Sequence, residues 1–408
     1  ITMGDGSVKF VEQNLLNTDL TLNLSQNIPW TGGSLFLETS AQRMDLFSEH
    51  KYSWQTSPIM IGYRQSLFGY NSLKWDKRIE PVRYQEAKKS YVETLELVSA
   101  NAINKFFALA TAQSNYDIAS FNYANADTLY RYAQGRYNIG TITENEMLQL
   151  ELNRLTEETN RMNARIEMDN CMQELRSYLG IQEEREIRVR VSSRIPDFSI
   201  NLNEALALAY ENSPDIQTMK RRKLESESAV ARARANAGLK ADIYLRFGLT
   251  QTADKLPEAY RNLLDQQYVS LSISLPILDW GRGKGQVRVA RSNRDLVYTQ
   301  VEQNRTDFEL NVRKLVKQFN LQTQRVRIAA RTDETAQRRN EVARKLYILG
   351  KSTILDLNAS ISEKDSARRN YVSALYNYWS LYYTLRSMTL YDFESNKLLT
   401  EDYNLLIE

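Results

Sequence analysis

Two hydrophobic periods divide this chain. Ile243, Leu245, Phe247 and Leu249 alternate with Tyr244, Arg246 and Gly248, and Val269, Leu271, Ile273 and Leu275 alternate with Ser270, Ser272 and Ser274. A period of two predicts strands with one apolar and one polar face. Leu35–Met44 and Pro58–Leu67 read the same way. Each segment is about 10 residues, enough for a tilted strand to cross a bilayer. Asp45–Thr56 and Thr252–Gln266 read as polar loops joining each pair, with Tyr52, Trp54, Tyr268 and Trp280 near strand ends, where an aromatic belt would sit. Leu20, Leu22 and Leu24 alternate with Thr21, Asn23 and Ser25 ahead of the turn Ile28–Gly33, which predicts one more strand.

The rest of the pattern is helical. Pro is absent from Val82 to Ile195 and after Pro276; Gly is absent from Tyr70 to Gln134 and from Gln286 to Leu349. Intervals free of both breakers permit very long helices. Ser72–Asn138 and Gly283–Leu349 are read as two of them, each about 100 Å at 1.5 Å per residue. Each reverses at a glycine and returns, as Thr143–Leu179 and as Thr353 to about Phe393. On the return helices Leu148, Leu152, Leu155, Thr159, Met162 and Ile166 step by four and three, as do Ala367, Tyr371, Ala374, Tyr378, Leu381, Leu385 and Met388. Val372, Leu375, Trp379 and Tyr382 form a second stripe beside the latter. Two seams on one helix call for neighbours on two sides, as in a ring of helices. Between the hairpins, Gly180–Pro214 holds an irregular link at Ser193–Pro196 and a short helix around Asn203–Ala207, and Pro214–Ala237 reads as a further helix.

The second half repeats the first at an offset of 210 residues, pairing Tyr137 with Tyr347, Gly140 with Gly350, Thr143 with Thr353 and Glu146 with Asp356. Lys74/Lys284, Arg78/Arg288 and Ala133/Ala343 share the register, so a long internal duplication is the reading. The first copy should then have a helix ahead of its strands, and Ile1 already lies past it. The natural protein is therefore expected to be longer at its N-terminus, where the strand needed for an even count would also lie.

Composition narrows the function. The net charge is +3, from 53 basic and 50 acidic residues interspersed along the helices, which describes a solvated surface and no nucleic-acid partner. The basic cluster Lys220–Lys223, with Arg232 and Arg234, reads as part of that surface. No apolar run is long enough for a transmembrane helix, which leaves a β-barrel open. Cys171 is the lone cysteine and His50 the lone histidine. The segment Gly281–Gly285 lacks phosphate-loop spacing and suits a flexible strand-to-helix junction. No catalytic constellation, metal cluster or cofactor motif is present in the sequence, so an enzyme is not expected.

With its two copies, Leu275-Pro276-Ile277-Leu278-Asp279-Trp280-Gly281 and Gln65–Gly69 as strand-to-helix junctions, and its Tyr/Gly/Thr turns, the chain resembles the TolC-like outer membrane efflux protein family from about residue 20 to 393. The resemblance implies a mixed α/β membrane protein: a homotrimer whose strands close one transmembrane β-barrel, continued by a long periplasmic α-helical barrel, with two structural repeats per chain. It implies 12 strands, or 18 if the Leu20 strand and a missing partner join. It places first-repeat strands and loops in 1–71, the first hairpin in 72–180, an equatorial segment in 181–238, second-repeat strands in 239–282, the second hairpin in 283–393 and an equatorial tail in 394–408.

The function it implies is a passive exit duct in the Gram-negative outer membrane, with its helices in the periplasm. The duct would serve a tripartite efflux or type I secretion system and be opened at its helix tips by a periplasmic adaptor and an inner membrane RND or ABC transporter. Asp356 matches the family's constriction aspartate, and Ala359 stands where a second aspartate is found. Tyr347 matches a latch tyrosine and Glu146, grouped with Asp356 at the constriction, its acidic neighbour on the other hairpin; Ser352 replaces an arginine of that latch. Tyr137, Gly140, Thr143, Gly350, Lys351 and Thr353 complete the two tips. Without the resemblance, Glu146 and Asp356 read as first-turn acids, Thr143 and Thr353 as N-caps and the glycines as C-caps. The rival function is a periplasmic coiled-coil adaptor, which needs only one hairpin.

Overall fold

The computed structural model describes residues 14–48, 50–183, 185–192, 195–349 and 351–400. The chain forms two compact units, one from residues 1–84 and 217–303, the other from 85–216 and 304–408.

The first unit holds one antiparallel sheet in the order β1 (Leu15–Ile28), β2 (Gly33–Leu46), β3 (Lys51–Ser66), β4 (Lys240–Ala253) and β5 (Leu264–Ser274). All five expected strands are present and run further into the loops than expected, while β3 and β5 stop one residue short of Leu67 and Leu275. Asp45–Thr56 is not a loop: β2 and β3 pair as far as Leu46↔Lys51, and the turn at Phe47 and His50 is all that remains. Tyr52 and Trp54 are good strand formers, and Arg43 lies over both their rings, so the ladder continues to the turn. Pro58 sits inside β3 where the register with β4 slips between Thr56 and Ile59, so its missing N–H falls at a bulge.

The pleat sorts the faces as the alternation predicts. Leu24, Leu37, Ile61 and Phe247 stand opposite one another across four strands, and Leu245 faces Val269. Among the described residues this face is exposed: Leu22 and Leu24 are 71% and 72% exposed, and Val269 and Leu271 are 67% and 60%. The opposite face carries Glu38 and Arg246, 3.5 Å apart, and Phe36 stacked on Tyr244 at 5.8 Å. Phe36 fits because Gly62 faces it; a Cβ there would lie 2.0 Å from the ring.

Four long helices follow from the breaker-free intervals: α1 (Ser72–Asn138), α2 (Glu144–Tyr178), α5 (Arg282–Ile348) and α6 (Ile354–Thr389). Pro81 lies within α1, which continues through it. The short α3 (Leu202–Asn212), capped by the Asn201 side chain, and α4 (Pro214–Ala237) lie between the hairpins. Helix α6 stops short of the expected Phe393. Leu390 turns into the left-handed region, and a two-stranded hairpin, β6 (Tyr391–Asp392) with β7 (Lys397–Leu398), follows.

In the second unit, Leu109 and Ala112 of α1 pack on Met168 and Leu175 of α2. Phe319 of α5 lies 5.2 Å from the ring of Tyr378 on α6 and 5.4 Å from Phe198 of the extended link. The link is tied down along its backbone. Asn320 exchanges two 2.9 Å bonds with Ile200, and the Tyr378 hydroxyl donates to Pro196 O at 2.8 Å.

The two seams on α6 are filled within the chain, with Tyr378, Leu385, Leu375 and Tyr382 all buried. The seam on α2 is not. Leu148, Leu152, Leu155, Met162 and Ile166 are 45–66% exposed.

Candidate functional site: the two helix tips

At the end of α1, Gly140 adopts φ +73° and the last turn closes on it. Gly140 N donates to Tyr137 O at 2.8 Å, and Thr141 N donates to Arg136 O at 2.9 Å, a paired C-terminal cap that needs a residue in the left-handed region. At the end of α5 the bond Lys351 N to Leu346 O, 2.9 Å, occupies the corresponding place. Gly350 itself lies outside the described residues.

The return helices begin alike. Thr143 Oγ1 accepts from Glu146 N at 3.2 Å while Glu146 Oε2 accepts from Thr143 N at 2.9 Å. Thr353 Oγ1 accepts from Asp356 N at 3.1 Å while Asp356 Oδ2 accepts from Thr353 N at 3.3 Å and from Thr353 Oγ1 at 2.7 Å. Both are capping boxes, the geometry implied by threonine followed three residues later by an acid.

The boxes set the charge state of both acids. Hydrogen bonds from the Thr353 side chain and backbone hold the Asp356 carboxyl below the usual aspartate range, and those from the Thr143 backbone and side chain do the same for Glu146. Both groups therefore remain ionised at neutral pH. Asp356 and Ala359 share the exposed side of α6, opposite the buried Leu357 and Ser360. Ser352 Oγ donates to Asp356 Oδ2 at 3.3 Å. That contact stays within one tip and links nothing to the other hairpin.

The two tips meet across a cavity of about 620 Å³, lined among others by Arg136, Glu146, Tyr132, Tyr347, Thr353 and Asn358. Tyr347 is thus brought to the same space as Glu146, whereas Asp356 is not among the lining residues. No hydrogen bond engages the hydroxyl of Tyr347 or Tyr137 among the described residues. Tyr137 and Lys351 are exposed.

What holds each hairpin was not apparent from the sequence. In the first, Tyr116, Tyr123 and Tyr130 recur every seven residues along α1 and lie under Arg165, Arg161 and Arg154 of α2, at 5.5, 4.1 and 5.5 Å. In the second, the ties are polar: exposed Arg368 donates to buried Asp333 at 3.1 Å, and Asn340 donates to Ser360 at 3.0 Å, both buried. Asn122 of α1 donates to Asp365 of α6 at 2.7 Å. The seven-residue recurrence of tyrosine was the available signal for the first set; isolated polar residues within apolar stripes were the signal for the second.

Among the described residues no cluster of His, Cys, Asp and Glu is placed to hold a metal ion. Burial pushes the Cys171 thiol up, which disfavours the reactive thiolate, and His50 is exposed beside the β2–β3 turn.

Comparison with known proteins agrees with this architecture. Residues 205–389 match the family described as Outer membrane efflux protein. The fold is similar to the Campylobacter jejuni CmeC outer membrane channel, at 15% identity over 97% of this chain and 80% of that one, with a TM-score of 0.68. It is also similar to the outer membrane protein VceC of Vibrio cholerae (14% identity, 92% and 87% covered, TM-score 0.63). The open state of the Neisseria gonorrhoeae MtrE outer membrane channel matches at 12% identity, 96% and 82% covered, with a TM-score of 0.66. No curated protein matches the sequence.

Proposed function

We propose, from the match of residues 205–389 to the outer membrane efflux protein family, that the chain is one subunit of a trimeric exit duct in the Gram-negative outer membrane. The observation that carries this reading is the mostly apolar face shared by all five strands and left exposed among the described residues. Hydrocarbon is the solvent that suits such a face, and a sheet in hydrocarbon must close to satisfy its edges. One sheet of five strands encloses no lumen, so closure falls to further copies. The uncovered seam on α2 asks for a neighbouring helix in the same way. A periplasmic adaptor has no use for the apolar sheet, and the family match does not support that alternative.

The sheet also bears on the strand count. In an antiparallel meander of five, β1 and β5 run the same way, so three such sheets would meet in parallel pairs. Antiparallel closure needs an even number per copy: four with β1 outside the ring, or six with another strand beside it. Because β1 carries the same apolar face as its neighbours, we favour six, and eighteen in all.

In this reading the two hairpins of each chain are structural repeats, and three pairs of them form the periplasmic tunnel. The domain layout is the one implied by the family resemblance. Three copies of Asp356 ring the periplasmic mouth, with Glu146, Tyr347 and the tip residues Tyr137, Gly140, Thr143, Gly350, Lys351, Ser352 and Thr353 around it. The partners are a periplasmic adaptor, an inner membrane RND or ABC transporter, and outer membrane lipid. The role is that of a conduit, and no step of it calls for catalysis or a cofactor.

Ionised carboxylates around a narrow mouth attract cations. The protein in planar bilayers should conduct with cation selectivity and be blocked by multivalent cations from the periplasmic side. Asp356→Ala should shift the reversal potential in a salt gradient toward zero. An unshifted reversal potential would remove Asp356 from the constriction.

A further inference from the structure

A second, smaller cavity lies farther from the tips and has a different chemistry. It measures about 240 Å³ and opens between three helices: Leu129 and Tyr132 of α1, Arg344 and Tyr347 of α5, and Leu357 and Ile361 of α6 line it. On each helix these residues are three or four apart, or seven where a third residue such as Asn340 joins, so each helix presents a single face. Asn125 and Thr128, the α1 residues completing that face, are short and also line the cavity. Its floor is firm: Leu357 is buried, and beneath it Asn340 is tied to Ser360.

Apart from Asn125, Thr128 and Asn340 the wall is aliphatic and aromatic, and at its edge stands one cation. Arg344 is exposed, and among the described residues no carboxylate, carbonyl or ring engages its guanidinium. The neighbouring arginines are engaged: Arg339 pairs with Glu363, Arg338 with Glu334 and Arg368 with Asp333. An unpaired guanidinium at the mouth of an apolar cavity is complementary to a molecule with an apolar body and one carboxylate. A dry cavity of about 150 Å³ accepts benzene, so this one has room for a fused two-ring body.

We propose that this cavity binds small amphipathic monocarboxylates, with the ring system between Leu129, Leu357 and Ile361 and the carboxylate on Arg344. Such a ligand touches Tyr347, the residue that the duct reading makes part of the latch. The site itself stands on the geometry of one chain and does not depend on that reading.

The probe is 2-naphthoate, with uncharged 2-naphthamide as its isostere, titrated calorimetrically into the detergent-purified protein. Wild type should bind naphthoate saturably. Arg344→Gln should weaken naphthoate about 10-fold, the scale of one charged hydrogen bond, and leave naphthamide unchanged. Thr128→Trp, which fills the void from an exposed position, should abolish binding of both. Absence of saturable naphthoate binding overturns the inference. So does binding that neither substitution alters, or equal weakening of both ligands by Arg344→Gln. Because the readout is binding, it is unaffected by whether the protein conducts.

Discussion

Arginine at Leu271 should remove the protein from the outer membrane, while arginine one residue on, at Ser272, should be accepted. Leu271 stands opposite Ile243 on the uncovered apolar face, and Ser272 stands opposite Asp242 on the other. At a lipid-facing position an arginine costs up to about 2–4 kcal/mol, depending on depth, and a trimer would bear that three times. At Ser272 the same side chain gains a cross-strand carboxylate partner. The pair Leu22→Arg and Asn23→Arg asks the same question of β1, since Asn23 faces Glu38. If β1 belongs to the barrel wall, Leu22→Arg is as damaging as Leu271→Arg. If it is harmless, β1 lies outside the ring and the count falls to twelve. The measurement is the amount of heat-modifiable oligomer in outer membrane fractions. Equal behaviour of Leu271→Arg and Ser272→Arg would contradict the assignment of faces.

The second large effect is expected where α1, α6 and the C-terminal hairpin are tied together. Arg386 donates to Glu96 Oε1 at 2.9 Å and lies 3.6 Å from Asp392, with the rings of Tyr383 and Tyr382 at 5.0 and 5.7 Å. The Arg386 side chain is 16% exposed and that of Glu96 11%, so neither charge is well hydrated. Removing one partner of such a pair strands the other, and Glu96→Ala should cost about 2–4 kcal/mol, less than a fully buried pair because Asp392 remains. Glu96→Leu with Arg386→Met should recover part of that loss, since the stranded charge goes too. Apparent melting by helical circular dichroism checks both. A double variant as unstable as the sum of the singles would show that the charges contribute nothing jointly.

The same cluster carries a pH dependence. Burial pushes the Asp392 carboxyl up, but hydrogen bonds from Tyr382, Ser395 and Glu394 prevail and leave it below its ordinary value. A carboxyl depressed in the folded state stabilises the fold above its unfolded value of about 3.9 and loses that contribution as pH falls through the folded value. The tie to the C-terminal hairpin should therefore weaken only in strong acid.

Much of this was legible in the sequence, for reasons that differ by element. Most of helices α1 and α5 follows from intervals free of Pro and Gly, although Pro81 and Gly135 lie within α1 and Gly283 and Gly285 within α5. The boxes at Thr143 and Thr353 follow from a threonine followed by an acid three residues on. The strands follow from their alternation, but their ends do not: the polar residues around Tyr52 and Trp54 suit a strand as well as a loop, and only pairing decides. The seam on α2 could be read as apolar, yet its exposure in the single chain could not, because nothing local says which helix covers it. The buried ties were least legible. Glu96 and Arg386 are 290 residues apart, and Asn122 and Asp365 are 243 apart. No periodicity connects residues at such distances. At the tips, Asp356 was singled out by its register, while its capture by Thr353 and Ser352 emerged only from the geometry.

If further copies of the chain complete the apolar sheet and the α2 seam, the protein should be extracted only with detergent. Its mass by size exclusion with light scattering, corrected for bound detergent, should be three times that of the chain. A monodisperse monomer, soluble once the membrane is removed and without detergent, would contradict completion by further copies.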